Sequence, residues 1–167
     1  VSLTLWHPVR VAEDLAMLDH FSNGRLDVAF ARGILPYEII NINPDADRKN
    51  PEKSKAIFRE NLEIVRRAWG NDKFNWQGER YTLPQPGLKY GSAPGAPPRV
   101  GYTNAQGEMI NISVVPRPRQ KPMPRIWSTT ENIEGFVEAA SSSLGAITWY
   151  PTGRRLRGMF EAYQKAR

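Results

Sequence analysis

The sequence of 167 residues contains no cysteine and only two histidines. Without cysteine the chain can form no disulfide, no thiolate metal site and no cysteine nucleophile, which suits a reducing, cytoplasmic environment. Because there are only two histidines, far apart from each other in sequence, and no cysteine, we expect no metal site. No apolar run approaches the roughly 20 residues of a membrane-spanning helix, and no secretory leader is visible, so we expect no membrane attachment.

Basic residues outnumber acidic ones, giving a net charge of +6 and an isoelectric point of about 9.8. Such a balance raises the possibility of nucleic-acid binding. The basic residues do not form one stripe, however: 13 of the 23 lie in five separate stretches, at 48–49, 53–55, 66–67, 117–125 and 154–157, and the others are spread over the rest of the chain. We therefore expect mostly solvated surface charge and no nucleic-acid partner, although one or two of these residues suffice for a local anion site.

The spacing of apolar residues predicts strands that alternate with helices. Gly24 is expected to end the first helix in a left-handed conformation. The third helix is expected to bury Ile133, Phe136, Val137 and Ala140, and the last one Leu156, Met159, Phe160 and Tyr163. Strands are predicted over residues 1–5, 26–31, 125–129 and 145–150, helices over 8–23, 51–70, 132–142 and 153–167, and a hairpin over 74–83.

Residues 84–124 are dense in proline and glycine, with one strand-like stretch, MINISVV. An insertion of this length in a compact domain is usually functional or disordered. Both alternatives remain open from the sequence.

Alternating strands and helices indicate an α/β protein with a parallel sheet, in which ligands bind at the carboxyl ends of the strands. Arg32-Gly33 ends one predicted strand, and Ser128, Thr129, Thr130 and Asn132 follow another. A guanidinium can hold an anion bidentately, and a helix N-terminus favours one too. The structural alternatives are that Arg32 pairs with an acid such as Glu38, and that the second group only caps a helix.

The stretch HPVRVAEDLAMLDHFSNGRLDVAFARG resembles the bacterial luciferase-like monooxygenase family. The resemblance rests on His-Pro, Ala-Glu, Leu-Asp and Ser-x-Gly-Arg followed by a strand that ends in Arg-Gly. The FNWQGERY hairpin, the segment VVPRPRQKPMPRIW and the following STTEN fit the family order as well. The match extends to about residue 151.

This resemblance implies part of a (β/α)8 TIM barrel, with about four βα units that correspond to strands three to six and a long insertion. A full barrel takes about 250 residues, so residues 1–167 are expected to form one luciferase-like domain that is incomplete at both ends. The chain is then either a fragment of a longer protein or a truncated relative that associates with another copy. Exposed sheet edges and apolar surface favour a homo-oligomer.

For the site, the resemblance implies that Arg32 and the turn with Ser128, Thr129, Thr130 and Asn132 hold the phosphate of a reduced flavin. Gly33 is expected to let the backbone approach the ligand. His7 and Tyr102 are weaker candidates for the flavin or substrate pocket, with Tyr102 on an insertion that would close over the site. Ala31 stands where luciferases carry a reactive cysteine, which argues against bioluminescent activity. No catalytic residue is assigned, since the family's catalytic histidine belongs to the second strand of the barrel, which is expected to be absent here.

The function that follows is a flavin-dependent monooxygenase, in which reduced FMN and O2 oxidise a small organic substrate such as an aldehyde or a sulfonate. A separate flavin reductase is a possible partner. Two alternatives stay open: an F420-dependent oxidoreductase on the same scaffold, and a non-catalytic flavin-binding module.

Overall fold

A computed structural model describes residues 1–91, 99–149 and 152–167. Helices and strands alternate along these residues as the apolar spacing predicts, with one additional short helix. The elements are α1 (Pro8–Phe21), β1 (Asp27–Phe30), α2 (Pro36–Ile42), α3 (Pro51–Gly70), β2 (Trp76–Gln77), β3 (Thr82–Leu83), β4 (Arg125–Thr129), α4 (Ile133–Ser141), β5 (Gly145–Ile147) and α5 (Gly153–Ala166). Tyr150, the last residue of the predicted strand over 145–150, lies outside the described residues.

Three strands form a parallel sheet in the order β1-β4-β5. Val28 lies opposite Ile126, and both side chains are buried. The strand predicted over residues 1–5 is reduced to a parallel bridge between Ser2 and Ala31, so that prediction is correct only for its start. Residues Leu3–Leu5 instead form a 3-10 turn, closed by the Leu5 amide donating to the Ser2 carbonyl.

The core lies between the sheet and the helix pair α1 and α3. Trp69 is fully buried near the end of α3, where its indole N–H donates to the Ala12 carbonyl of α1 over 3.0 Å. Asn61 of α3 donates to the Leu3 carbonyl over 2.9 Å, which fixes the start of the chain against the same helix. These two buried polar side chains therefore each have a backbone partner for their N–H groups.

The ends of α1 and α3 follow the local sequence signals. Pro8 and Pro51 occupy first helical positions, where a missing N–H costs nothing. The end of α1 is left-handed as predicted, but at two residues: Asn23, the first after the cap, has a φ of +57°, and Gly24 has a φ of +77° with its amide donating to the Asp19 carbonyl. Helix α2 is absent from the sequence-based expectation, because seven residues are too short for a clear apolar period.

The apolar faces of α4 and α5 differ in part from the prediction. Phe136 and Ala140 are buried, but Ile133 is 51% exposed and Val137 37% exposed. Helix α4 packs mainly against α5, so Ala139 is covered instead and Ile133 and Val137 face away from the described neighbours. On α5, Met159 is buried and Leu156 and Tyr163 are half-buried, whereas Phe160 is 47% exposed despite an edge contact with Phe136.

The hairpin over 74–83 is confirmed as the antiparallel pair β2 and β3. The strand-like stretch MINISVV makes isolated bridges, Phe74 with Ile112 and Thr103 with Met109, rather than a strand. Further along, the Gln120 amide and side chain both donate to the buried Asp19 carboxylate over 2.8 Å. The end of the insertion is therefore fixed beside the C-terminal end of α1, which leads into the N-terminal end of β1.

Candidate functional site

A cleft of about 140 Å³ opens at the carboxyl ends of the parallel strands. Its walls come from the segment after β1, from α3 and the loop before it, from α4 and the turn between β4 and α4, and from Trp149 after β5. All six residues predicted to bind a cofactor line this one cleft: Arg32, Gly33, Ser128, Thr129, Thr130 and Asn132. The parallel pairing of β1 with β4 explains this, because Phe30 and Ser128 are direct partners in the register.

Arg32 is held in place through its backbone rather than its side chain. The hydroxyl of Thr4, a buried residue, donates to the Arg32 carbonyl over 2.8 Å. The guanidinium is half-buried and has no carboxylate within 4 Å among the described residues, so the alternative pairing with Glu38 is not observed. Burial, together with the positive charge of Arg48, lowers the pKa of Arg32.

Gly33 is required for its conformation and for packing. Its φ is +93°, a region that residues with a side chain rarely adopt. A Cβ at this position would lie 3.0 Å from the Ile39 side chain on α2. The absence of a side chain therefore makes room for Ile39, whereas the sequence interpretation assigned that room to a ligand.

The turn between β4 and α4 is fixed by its own polar groups. Thr129 donates from its hydroxyl to the Phe30 carbonyl over 3.3 Å, and the Thr130 amide donates to the Ile147 carbonyl over 2.9 Å. Asn132 caps α4 by accepting from the Gly135 amide over 2.8 Å. Asn132 therefore caps the helix, which is the structural alternative that the sequence left open for it. Ser128 makes no side-chain hydrogen bond with any described residue, which leaves its hydroxyl available at the cleft.

Sequence reasoning missed the charges that α3 and its preceding turn bring to the cleft. Four cationic side chains line it, together with three carboxylates: Arg32, Arg48, Lys55 and Arg59, with Glu131, Glu134 and Glu138. Lys55 and Arg59 are one helical turn apart, beside the apolar residues Phe58 and Leu62 that also reach the cleft. The spacing of Lys55 and Arg59 on one side of α3 is the sequence signal from which these two charges could have been predicted. Arg48 lies in the loop before the helix and gave none.

Two of these cations already have partners. Arg59 donates to Glu138 over 2.8 Å, and Lys55 lies 3.3 Å from Glu52. Arg48, like Arg32, has no carboxylate within 4 Å in the part of the chain that the structure describes. Its guanidinium instead donates to the Gly33 carbonyl over 3.4 Å.

His7 and Tyr102 do not reach the cleft. His7 is exposed before α1, with its ring 5.0 Å from the Tyr81 ring. Partial burial lowers the pKa of His7, and the nearby Glu13 carboxylate partly offsets this. Tyr102 donates to the Ser113 hydroxyl over 3.1 Å and lies beneath the Lys73 ammonium, close to the C-terminal end of α3.

The described part of the insertion does not cover the cleft. None of its residues in 84–91 or 99–124 contributes to the cleft walls. The bridge from Ile112 to Phe74 and the contact with Asp19 hold the insertion near the C-terminal ends of α3 and α1, away from the cleft. The expectation of an active-site loop is therefore not met by these residues, and residues 92–98 lie outside the described part.

The cleft suits an anionic group with an apolar or aromatic body. Arg32, Arg48 and the Ser128 hydroxyl provide donors for an anion, while Ile34 and Trp149 add apolar surface. Among the described residues, no group of three acidic, histidine or cysteine side chains could hold a metal ion. Within the same residues, every helix is too short or too polar to cross a bilayer.

The sequence model of the luciferase-like monooxygenase family matches residues 1–167, and the chain belongs to this family. The oxygenase component of flavin-dependent trigonelline monooxygenase from Acinetobacter baylyi is 29% identical over 122 residues, which are 73% of this chain and 26% of that protein. The chain has the fold of one part of the TIM barrel of luciferase-like monooxygenases.

Two solved structures define this fold. Monooxygenase RslO1 from Streptomyces bottropensis superposes with a TM-score of 0.69 at 27% identity, over 98% of this chain and 41% of that one. The oxygenating constituent of 3,6-diketocamphane monooxygenase from Pseudomonas putida, in complex with FMN, has a TM-score of 0.68 at 19% identity, over 98% and 40%. The chain thus spans between 26% and 41% of the lengths of these three relatives.

Proposed function

We propose that this chain is the flavin-phosphate-binding part of a monooxygenase that uses reduced FMN and O2 to oxidise a small organic substrate such as an aldehyde or a sulfonate. The observation that carries the proposal is the Arg32 guanidinium, half-buried in a cleft at the strand ends and without a carboxylate partner among the described residues. A charge held away from water costs free energy unless an opposite charge meets it. A phosphate ligand provides that charge.

In the proposed complex, Arg32 donates charge-assisted hydrogen bonds to the phosphate, and Ser128 adds a hydroxyl donor. Thr129 and Asn132 keep the turn in shape through the bonds described above, rather than by touching the ligand. Reduced FMN, when bound, would supply two electrons and the oxidised substrate the other two, so that one atom of O2 enters the substrate and the other leaves as water.

One relative supports a two-component arrangement, because it is by name the oxygenase component of a flavin-dependent monooxygenase. An oxygenase component requires a source of reduced flavin. We therefore propose a separate flavin reductase as the partner of the protein to which this chain belongs.

The proposal is tested by titrating the chain with FMN under anaerobic conditions, first oxidised and then reduced, and following flavin fluorescence. We expect saturable binding that Arg32→Ala weakens at least about tenfold, since one charge-assisted hydrogen bond is worth about 1.5–3 kcal/mol and tenfold corresponds to about 1.4 kcal/mol. Riboflavin, which has no phosphate, is expected to bind equally to both proteins.

The matched control is Arg157→Ala, because Arg157 is exposed on α5 and does not line the cleft. It is expected to leave FMN affinity unchanged. Equal FMN affinity in Arg32→Ala and the unchanged chain would contradict the assignment of Arg32. Tighter binding of F420 than of FMN would replace the monooxygenase by the F420-dependent alternative.

A further inference from the structure

Two guanidinium groups in the cleft lack an acidic partner among the described residues, namely those of Arg32 and Arg48. The other two cations, Lys55 and Arg59, are each paired with a glutamate. A carboxylate partner cancels most of the field of a cation at distances larger than the separation of the pair. Glu131 and Glu134 also line the cleft without a basic partner among the described residues, so a ligand meets the two arginines together with these two carboxylates.

Arg48 is positioned on the same side of the cleft as Arg32. Its Nη1 donates to the carbonyl of Gly33, the residue that follows Arg32. This bond occupies one N–H and leaves the remaining N–H groups of the planar fork for other acceptors. Arg48 is itself exposed, and its positive charge is one of those that act on the pKa of Arg32.

Two neighbouring positive charges match an anion of charge minus two better than one of charge minus one. A phosphate monoester has a second pKa near 6 and is therefore mostly dianionic above neutral pH. A phosphodiester has a single ionisable oxygen and carries only one negative charge. FMN carries a monoester, whereas F420 carries its phosphate as a diester.

We propose that Arg48 is a specificity-determining residue which, together with Arg32, makes the cleft selective for a dianionic phosphate monoester over a phosphodiester. This inference rests on the proposed function, because it assigns the same cleft to a flavin phosphate. It adds a residue that the sequence interpretation did not include, and it specifies the charge state of the ligand.

The charged groups facing Arg32 and Arg48 come from three parts of the fold. None of the residues that line the cleft is a histidine. The groups are Lys55, Arg59 and Glu52 on α3, Glu131 before α4, and Glu134 and Glu138 on α4. A pH range from about 5.5 to 8 lies above the range in which glutamates ordinarily titrate, and it includes the second ionisation of the ligand.

The experiment measures FMN affinity by flavin fluorescence across that pH range for the unchanged chain, Arg48→Gln and Arg48→Lys. The affinity of the unchanged chain is expected to fall about threefold from pH 8 to about pH 5.5, because a phosphate with a second pKa near 6 is then still about one quarter dianionic. Arg48→Gln is expected to bind FMN about tenfold more weakly at pH 8 and to lose most of this pH dependence. Arg48→Lys retains the charge, so it is expected to keep the pH dependence.

Two controls isolate the phosphate charge. Riboflavin affinity is expected to be independent of pH and of residue 48. The monomethyl ester of FMN, a phosphodiester of nearly the same shape, is expected to bind the unchanged chain about tenfold more weakly than FMN at pH 8. Arg157→Gln, a matched substitution outside the cleft, is expected to change neither affinity.

The outcomes separate this inference from the proposed function. If Arg32→Ala weakens FMN binding while Arg48→Gln changes neither the affinity nor its pH dependence, the role of Arg48 is wrong and the flavin site stands. Equal binding of FMN and its methyl ester at pH 8 would also overturn the selectivity. If FMN does not bind, or if neither arginine affects it, both proposals fail.

Discussion

Replacing Asp19 by asparagine is expected to destabilise the chain strongly, although the two side chains have nearly the same shape. Asp19 is fully buried near the end of α1. Its two carboxylate oxygens accept from the Gln120 amide and from the Gln120 side chain, each over 2.8 Å. Asparagine keeps one acceptor oxygen and places an NH2 group opposite the other donor.

The magnitude follows from these two bonds. A hydrogen bond to a charged group is worth about 1.5–3 kcal/mol, and Asp19→Asn removes one such bond and the charge assistance of the other. We expect a loss of about 2–3 kcal/mol in the free energy of unfolding. With a urea m-value of about 2 kcal/mol per molar, the unfolding midpoint falls by about 1 M or slightly more.

The effect is also expected to depend on pH. Burial raises the pKa of Asp19, but the hydrogen bonds from Gln120 and from the backbone of Arg119 and Leu26 outweigh it, so the net pKa is lowered. A carboxyl whose folded pKa is depressed contributes stability above its unfolded pKa, about 3.9, and loses it as the pH falls through the folded value. The difference in stability between the unchanged chain and Asp19→Asn is therefore expected to close below about pH 4.

The assay is urea unfolding followed by tryptophan fluorescence at pH 7 and at steps down to about pH 3. Asp27→Asn is the matched control, because Asp27 is exposed and makes no side-chain hydrogen bond or ion pair with another described residue. It is expected to change the midpoint only slightly. An Asp19→Asn midpoint within about 0.2 M of the unchanged chain at pH 7, or a difference that persists undiminished at about pH 3, would refute the reasoning.

Two glycine substitutions test the packing around the sheet. Gly33→Ala is expected to lower the free energy of unfolding by about 1–3 kcal/mol, because the residue has a positive φ and its new Cβ would crowd Ile39. Gly87 also has a positive φ but lies in open space, so Gly87→Ala is the comparison variant and is expected to lower the free energy of unfolding by a smaller amount. Thermal unfolding of both variants measures the difference. Gly145→Ala places a Cβ where the Trp127 ring lies, so we expect a shifted tryptophan emission and a lower melting temperature, and an unchanged spectrum would contradict the packing.

Much of the site could be predicted from the sequence because several of its residues lie at the carboxyl ends of parallel strands. Arg32 follows β1 and Ser128 lies at the end of β4, and parallel strands bring their carboxyl ends to one edge of the sheet. The helices α1 and α3 were predictable from their proline starts, and α3 also from its apolar period. Local signals and the global fold coincide at these positions. On α1 the apolar period is misleading in its second half, because Leu18 and Phe21 are exposed.

The remaining features depend on contacts that no local pattern encodes. The burial of α4 was misassigned at Ile133 and Val137 because periodicity gives an apolar face but not the neighbour that covers it. Tyr102 was expected near the substrate but lies away from the cleft. The course of the long insertion is set by distant contacts, here the hydrogen bonds between Gln120 and Asp19, which no local pattern predicts. His7 likewise contacts Tyr81, a partner that lies far away in the sequence, on the hairpin after α3.

The distinction between paired and unpaired cations is what makes a binding site out of a basic surface. Lys55 and Arg59 line the cleft, yet their contacts with glutamates account for them as ordinary surface charges. Arg32 and Arg48 lack such partners among the described residues, and Arg32 is also withdrawn from water. A net charge of +6 says nothing about which of these cases applies. The phosphate proposals therefore depend on the geometry of two residues, and substitutions at those two residues are sufficient to reject them.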